Sequence, residues 1–155
     1  MHCIRSLPKE LDFSRCRKIL ITFCNLSKTN IKFMEGASVT INHVYGVPKE
    51  LDFSKCKYVD LSNCSLYGCE KIKFGKDSTV ILDDAGDLPT DLDFSMCRNV
   101  SLVDTHLNDV KRITFKNKMQ KTVILNQKFL NYENPEIIYK SDGQNIFSKI
   151  FCNSK

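Results

Sequence analysis

Three aspartates, Asp83, Asp84 and Asp104, are the residues of this chain best suited to chemistry. A carboxylic acid beside a carboxylate is what glycosidic cleavage requires. Asp60 falls in a comparable place. Thiols form a second group, eight cysteines in 155 residues. Cys64 and Cys69 have four residues between them and no histidine nearby in sequence, so that pair is too poor in ligands for a zinc site. His2, His43 and His106 are scattered, and no Cys-His or Ser-His-Asp pairing follows from their spacing. Nucleophilic catalysis is therefore not expected, and neither is a metal or a cofactor. A third group is basic: Arg15, Arg17, Lys18, Lys55, Lys57, Lys76 and Arg98.

A repeat must position these side chains. Leu-Asp-Phe-Ser starts at Leu11, Leu51 and Leu92, spacings of 40 and 41. Leu7-Pro8, Val47-Pro48 and Leu88-Pro89 precede the three copies, and Cys16, Cys56 and Cys97 follow them. Midway lie Ile31-Lys32-Phe33, Ile72-Lys73-Phe74 and Ile113-Thr114-Phe115, which halves the period to about 20 residues. After each triplet comes a second alternating segment: Ile19-x-Ile21, Val39-x-Ile41, Val59-x-Leu61, Val80-x-Leu82, Val100-x-Leu102 and Val123-x-Leu125. The last is displaced by two residues within Lys116–Lys121.

Short alternating runs rich in Val, Ile and Phe, bounded by turn residues, are strands. Two strands in about 20 residues leave no room for a crossover helix. The expected fold is therefore all-β, a parallel β-solenoid of about six coils, a rod roughly 29 Å long at ~4.8 Å per rung. Residues 1–128 form the solenoid, as repeats 7–46, 47–87 and 88–128, and 129–155 form a C-terminal cap containing one short strand, Glu136–Tyr139. Phe13, Phe33, Phe53, Phe74, Phe94 and Phe115 should form one inward column. Outward, Asp12, Lys32, Asp52, Lys73, Asp93 and Thr114 should form a ladder of alternating charge.

From the cysteine onward the odd coils read Cys16-x-x-Ile19-x-Ile21-x-x-Cys24-x-Leu26, Cys56-x-x-Val59-x-Leu61-x-x-Cys64-x-Leu66 and Cys97-x-x-Val100-x-Leu102-x-x-Thr105-x-Leu107. Over residues 7–126 this resembles the leucine-rich repeat segment L-x-x-L-x-L-x-x-N/C-x-L. The Leu-Pro-x-x-Leu pieces look like the short repeats of bacterial leucine-rich effectors. The even coils depart from the pattern, with Val44 and Ala85 at the Asn/Cys position and Gly36 and Asp77 at the first Leu. The family's asparagine ladder is therefore absent, and a two-sheet parallel β-helix explains the same residues.

The register assigns the thiols to packing. Cys24 and Cys64 share an inward slot with Val44, Ala85 and Thr105, where a thiol acts as a small hydrophobe. Cys16, Cys56 and Cys97 share another slot, two rungs apart, about 9–10 Å and too far for a disulfide. Reduced thiols imply a reducing compartment, the cytoplasm or, for a bacterial effector, a host cytosol. The first residues lack the apolar core of a secretory signal, and no run approaches the apolar length of a membrane span.

Composition is that of a globular chain, 42% hydrophobic and 26% charged, with net charge +5. The basic residues follow first strands and should line one edge. Glu35 and Asp77 interrupt that edge and few aromatics interleave, which argues against nucleic acid as the partner. The second strands carry the most varied outward residues: Lys18, Leu20, Thr40, Asn42, Tyr58, Asp60, Ser62, Ile81, Asp83, Ser101 and Val103. Apolar groups among hydroxyls suit a protein interface. The sequence thus points to a non-enzymatic repeat scaffold that binds a protein partner on this face. The alternatives are a carbohydrate-binding or carbohydrate-cleaving β-helix using the aspartates, and a rod that self-associates through open solenoid ends.

Overall fold

The computed structural model describes residues 7–117, 121–125 and 135–140, the stretch 121–125 by its backbone alone. It is a parallel β-solenoid of about six turns, built almost wholly of strands. Among the described residues no helix is long and apolar enough to cross a membrane. One face holds β1 (Glu10–Phe13), β3 (Asn30–Phe33), β5 (Glu50–Phe53), β7 (Lys71–Phe74), β9 (Asp91–Phe94), β11 (Arg112–Phe115) and β13 (Glu136–Tyr139). The other holds β2 (Lys18–Thr22), β4 (Ser38–Asn42), β6 (Tyr58–Asp60), β8 (Thr79–Ile81), β10 (Asn99–Val103) and β12 (Lys121–Leu125). Every described pairing is parallel, each strand to its equivalent one coil away.

The phenylalanine column is continuous. Its rings stack with interplanar angles of 11–29°, and Tyr139 on β13 extends it beyond Phe115 at 6.0 Å. Phe53, Phe94 and Phe115 are fully enclosed. Truncating one such ring to alanine typically costs about 3–5 kcal/mol.

The two faces differ in continuity. The second sheet is one ladder, β12-β10-β8-β6-β4-β2. The first is cut into β1-β3, β5-β7 and β9-β11-β13. No ladder joins β3 to β5 or β7 to β9. At these seams the rings approach more closely, 5.1 and 5.2 Å, against 6.4 Å within β1-β3 and β5-β7. Side-chain stacking therefore bridges the seams. Each segment begins with one copy of the 40-residue repeat.

The charge ladder follows these segments and does not run through. Lys32 pairs with Glu10, Lys73 with Glu50 and more distantly with Asp52 (3.9 Å), and Arg112 with Asp91 at 2.7 Å. Each pair joins an odd coil to the even coil that follows it. The aspartates of Leu-Asp-Phe-Ser have another task. Asp12, Asp52 and Asp93 accept the backbone N–H of Ser14, Ser54 and Ser95 at 2.8–2.9 Å, closing the corner after each strand.

Corners alternate in geometry. In odd coils Phe13, Phe53 and Phe94 carbonyls accept the N–H of Cys16, Cys56 and Cys97 at 2.9 Å. In even coils Gly36 and Asp77 take left-handed backbone, φ 73° and 57°, and the next residue, Ala37 or Ser78, points inward. Cysteine therefore stacks with Ala37 and Ser78, and the Ser78 hydroxyl lies 3.5 Å from Cys97 Sγ. Cys56 and Cys97 are buried as expected, but Cys16 is exposed. Leu11 and Phe13 are likewise only half-buried, because among the described residues the first coil has a neighbour on one side only.

The sixth coil also differs from expectation. Val123 and Leu125 were expected at the core positions, but Thr122 and Ile124 pair with Val100 and Leu102. From Phe94 to the first residue of β10 is five steps, and from Phe115 to β12 six. The insertion is one residue and not two, and a one-residue change exchanges the faces of a strand. The expected cap strand, Glu136–Tyr139, forms as β13 and pairs with β11, with Ile137 buried. Residues 129–134 and 141–155 lie outside the described residues, as do Met1–Ser6, which include His2 and Cys3.

Two outcomes are expected. A Cβ on Gly75 would fall 2.5 Å from the Cys56 carbonyl oxygen and 2.8 Å from that of Ser54, so Gly75→Ala forces neighbouring coils apart. It should cost about 1–3 kcal/mol in a urea melt. Gly36→Ala meets nothing within 4 Å and should cost about 1 kcal/mol, from its left-handed backbone alone. Equal losses would refute the close-approach account.

The second outcome concerns acid. Asp12 is held below the usual carboxylate range by the Ser14 hydroxyl and N–H. For Asp52 and Asp93 burial pushes the other way but is outweighed, by Ser54 and Lys73 in one and by Lys140 and Ser95 in the other. Folded values below the unfolded ones stabilise the protein above about pH 4, and this is lost as pH falls through the folded values. The urea midpoint should fall less steeply below pH 4 in Asp12→Asn/Asp52→Asn/Asp93→Asn than in wild type. Parallel profiles would contradict it.

Candidate functional site

The second sheet places the expected partner-binding residues on its outward side. Register aligns Lys18, Ser38, Tyr58, Thr79 and Asn99 in one row, and Leu20, Thr40, Asp60, Ile81 and Ser101 in the next. Asn42 and Val103 end their strands, while Ser62 and Asp83 lie just past β6 and β8. Inward neighbours such as Val39, Val59 and Val80 are fully buried, so alternation alone sets the face.

Much of this face satisfies itself. Asp83 Oδ1 accepts the Ser101 hydroxyl at 2.7 Å and the Val103 N–H at 2.9 Å. Asp60 Oδ1 accepts the Ser62 N–H at 3.0 Å. Asn99 donates to the Thr79 hydroxyl at 3.0 Å. With its nitrogen turned toward carbonyls, the Asn42 amide donates to the Ser62 carbonyl at 3.1 Å. The Tyr58 hydroxyl is pushed up by burial and then by Asp60 and Asp83. Lys18 and Leu20 remain the open end of the face, Leu20 with 70% of its surface exposed.

The aspartates separate into two roles. Asp83 is committed to the Ser101–Val103 backbone and hydroxyl. Asp84 and Asp104 occupy the corner after the second strand, with φ of 52° and 53°. Phe23, His43 and Asn63 hold the same corner in earlier coils with φ of 53–55°. Left-handed backbone favours Asp and Asn, so these two acids have a conformational reason to be there. Among the described residues no group of three or more His, Cys, Asp or Glu is placed to hold a metal.

Several exposed apolar side chains escaped the sequence reading: Phe23, Tyr45, Tyr67 and Met96. All stand in corners, where alternation gives no parity. Phe23 stacks on His43, ring centroids 4.8 Å apart, and extends the apolar end begun by Leu20. On the opposite face, the seam between β3 and β5 opens as a cleft of about 220 Å³ lined by Ile31, Phe33, Lys32, Asp52 and Lys55, with Ser14 and Ser54.

An inward thiol and an inward hydroxyl bond to carbonyls of the neighbouring coil. Cys64 Sγ donates to the Ile41 carbonyl at 2.9 Å, and the Thr105 hydroxyl to Leu82 at 2.9 Å. Burial pushes Cys56 up to about 12 and Cys69 and Cys97 to about 11. At pH 8 iodoacetamide should alkylate Cys16 and leave Cys56, Cys69 and Cys97 unmodified until urea is added, as read by peptide mass. Early labelling of Cys56 would contradict the packing. Compared with known proteins, this chain matches no family model, no curated protein and no solved structure.

Proposed function

We propose that this solenoid is a non-enzymatic scaffold that binds a protein partner through the outward face of its continuous sheet. The observation that carries the reading is the contrast between the two faces. The first sheet spends its charged side chains on ion pairs and aspartate-serine turns within the chain. The second carries Leu20, Tyr58, Ile81 and Val103 among hydroxyls on a ladder that no seam interrupts. A rigid surface of this kind loses little conformational freedom on docking, and partly buried aromatic and aliphatic groups ringed by polar ones are the anatomy of an interface core. Lys18, Thr40 and Asp60 would form its polar surround.

The test is capture from lysate under reducing conditions, wild type beside Tyr58→Ala/Ile81→Asp and beside Lys49→Ala/Lys73→Ala on the first sheet. The expected result is one protein retained by wild type and by the first-sheet variant, and reduced about tenfold or more by the second-sheet variant. All three proteins should keep the same melting profile. Equal retention by both variants would reject the face.

A further inference from the structure

The solenoid divides its cations into two populations. On the first sheet Lys32, Lys49, Lys73, Arg112 and Lys140 are each held by an acid. The corner leading from the first sheet to the second is different. Arg17, Lys57 and Arg98 occupy one backbone position in coils one, three and five, where Ala37 and Ser78 turn inward between them. Two residues before Arg17 and Lys57 stand Arg15 and Lys55, Lys76 stands two before Ser78 in coil four, and Lys18 adjoins. All seven are exposed, and none makes an ion pair or a side-chain hydrogen bond among the described residues. Arg15 and Lys55 feel Asp12 and Asp52 only at longer range, while those carboxylates are bonded to Ser14 and Ser54.

We infer that this corner is a docking edge for the phosphate backbone of duplex nucleic acid, read without regard to base sequence. Charge density carries the inference. Seven cations less Glu35, Asp77 and the Asp12 and Asp52 carboxylates beside Arg15 and Lys55 leave three net charges from coil one to coil five. Four rungs at ~4.8 Å span about 19 Å, one net charge per roughly 6 Å. A duplex presents one phosphate per about 3.4 Å on each strand. The parallel ladder beside the edge fixes the rise of each coil. Aromatics are too few there for base stacking, which favours a duplex over a single strand. Glu35 and Asp77 reduce the field but do not pair the cations, and this outweighs the argument against nucleic acid drawn from their positions in sequence. Such an edge shares Lys18 with the second-sheet face and leaves the rest of that face free.

The test is fluorescence anisotropy with two labelled duplexes of unrelated sequence, from about 50 to 200 mM salt. Similar binding of both is expected, weakening roughly 100-fold across that range for about four neutralised phosphates. Arg17→Gln/Lys57→Gln/Arg98→Gln should lose at least about tenfold at low salt and show a shallower salt slope. The variant matched in charge, Lys49→Gln/Lys73→Gln/Arg112→Gln, should stay within about twofold of wild type. Circular dichroism of all three checks folding, and Arg15→Gln/Lys55→Gln/Lys76→Gln serves if the first variant unfolds. No wild-type binding at the lowest salt would overturn the inference. Equal loss in both matched variants would do so too, since net charge alone would then account for binding. Sedimentation with phosphatidylserine vesicles and no duplex binding would assign the edge to a membrane surface instead.

Discussion

Ring stacking along the rod axis is the constraint on which the rest of this structure depends. Seven aromatic rings, Phe13 through Tyr139, lie face to face one coil apart. Each ring fixes the height of its coil, and with it the height of the aliphatic residue two positions before. The corner slots can then be filled by the smallest side chains, since a column set by phenylalanine leaves only a narrow remainder beside it. Thiol, methyl and hydroxyl alternate there for that reason. Where backbone hydrogen bonding lapses at the two seams, the rings close to 5.1 and 5.2 Å and hold the coils together without it.

The coils, their strands and the phenylalanine column were legible because burial on one side imposes alternation, and alternation repeated at a fixed spacing leaves one geometry. Less legible was whatever depends on the backbone between strands. Asp12, Asp52 and Asp93 looked like rungs of a charge ladder, since residue type does not say whether a carboxylate faces a neighbour's ammonium or its own chain two residues on. Asp84 and Asp104 supplied carboxylates to the carbohydrate alternative, and residue type alone did not show that they stand where left-handed backbone also selects for aspartate. The sixth coil was misread by one residue because Thr122, which the register sets beside Val100, breaks the apolar pattern that set every other register. Of the partner-binding face, parity gave the strand residues; Phe23, beside Leu20, belongs to a corner and has no parity to read.

Charge tells the three surfaces apart more clearly than hydrophobicity does. The first sheet pairs its acids and bases strand by strand, which makes it cohesive. The second sheet uses its outward acids locally, Asp83 on Ser101 and Asp60 on Ser62. The corner between them holds cations with no such partners. The continuous ladder of the second sheet keeps the other two surfaces in fixed relation.

The alternating corners have a consequence for how such a rod can change length. An odd coil turns its corner through cysteine and an even coil through a left-handed residue followed by Ala or Ser, and only unlike corners nest. Deleting one coil would set Cys against Cys and place Asp52 over Asp12, with no lysine between them. Deleting two leaves every contact type intact. The heritable unit of this architecture is therefore the pair, and descendants would be expected to gain or lose about 40 residues at a time, lengthening or shortening the rod in steps of roughly 10 Å.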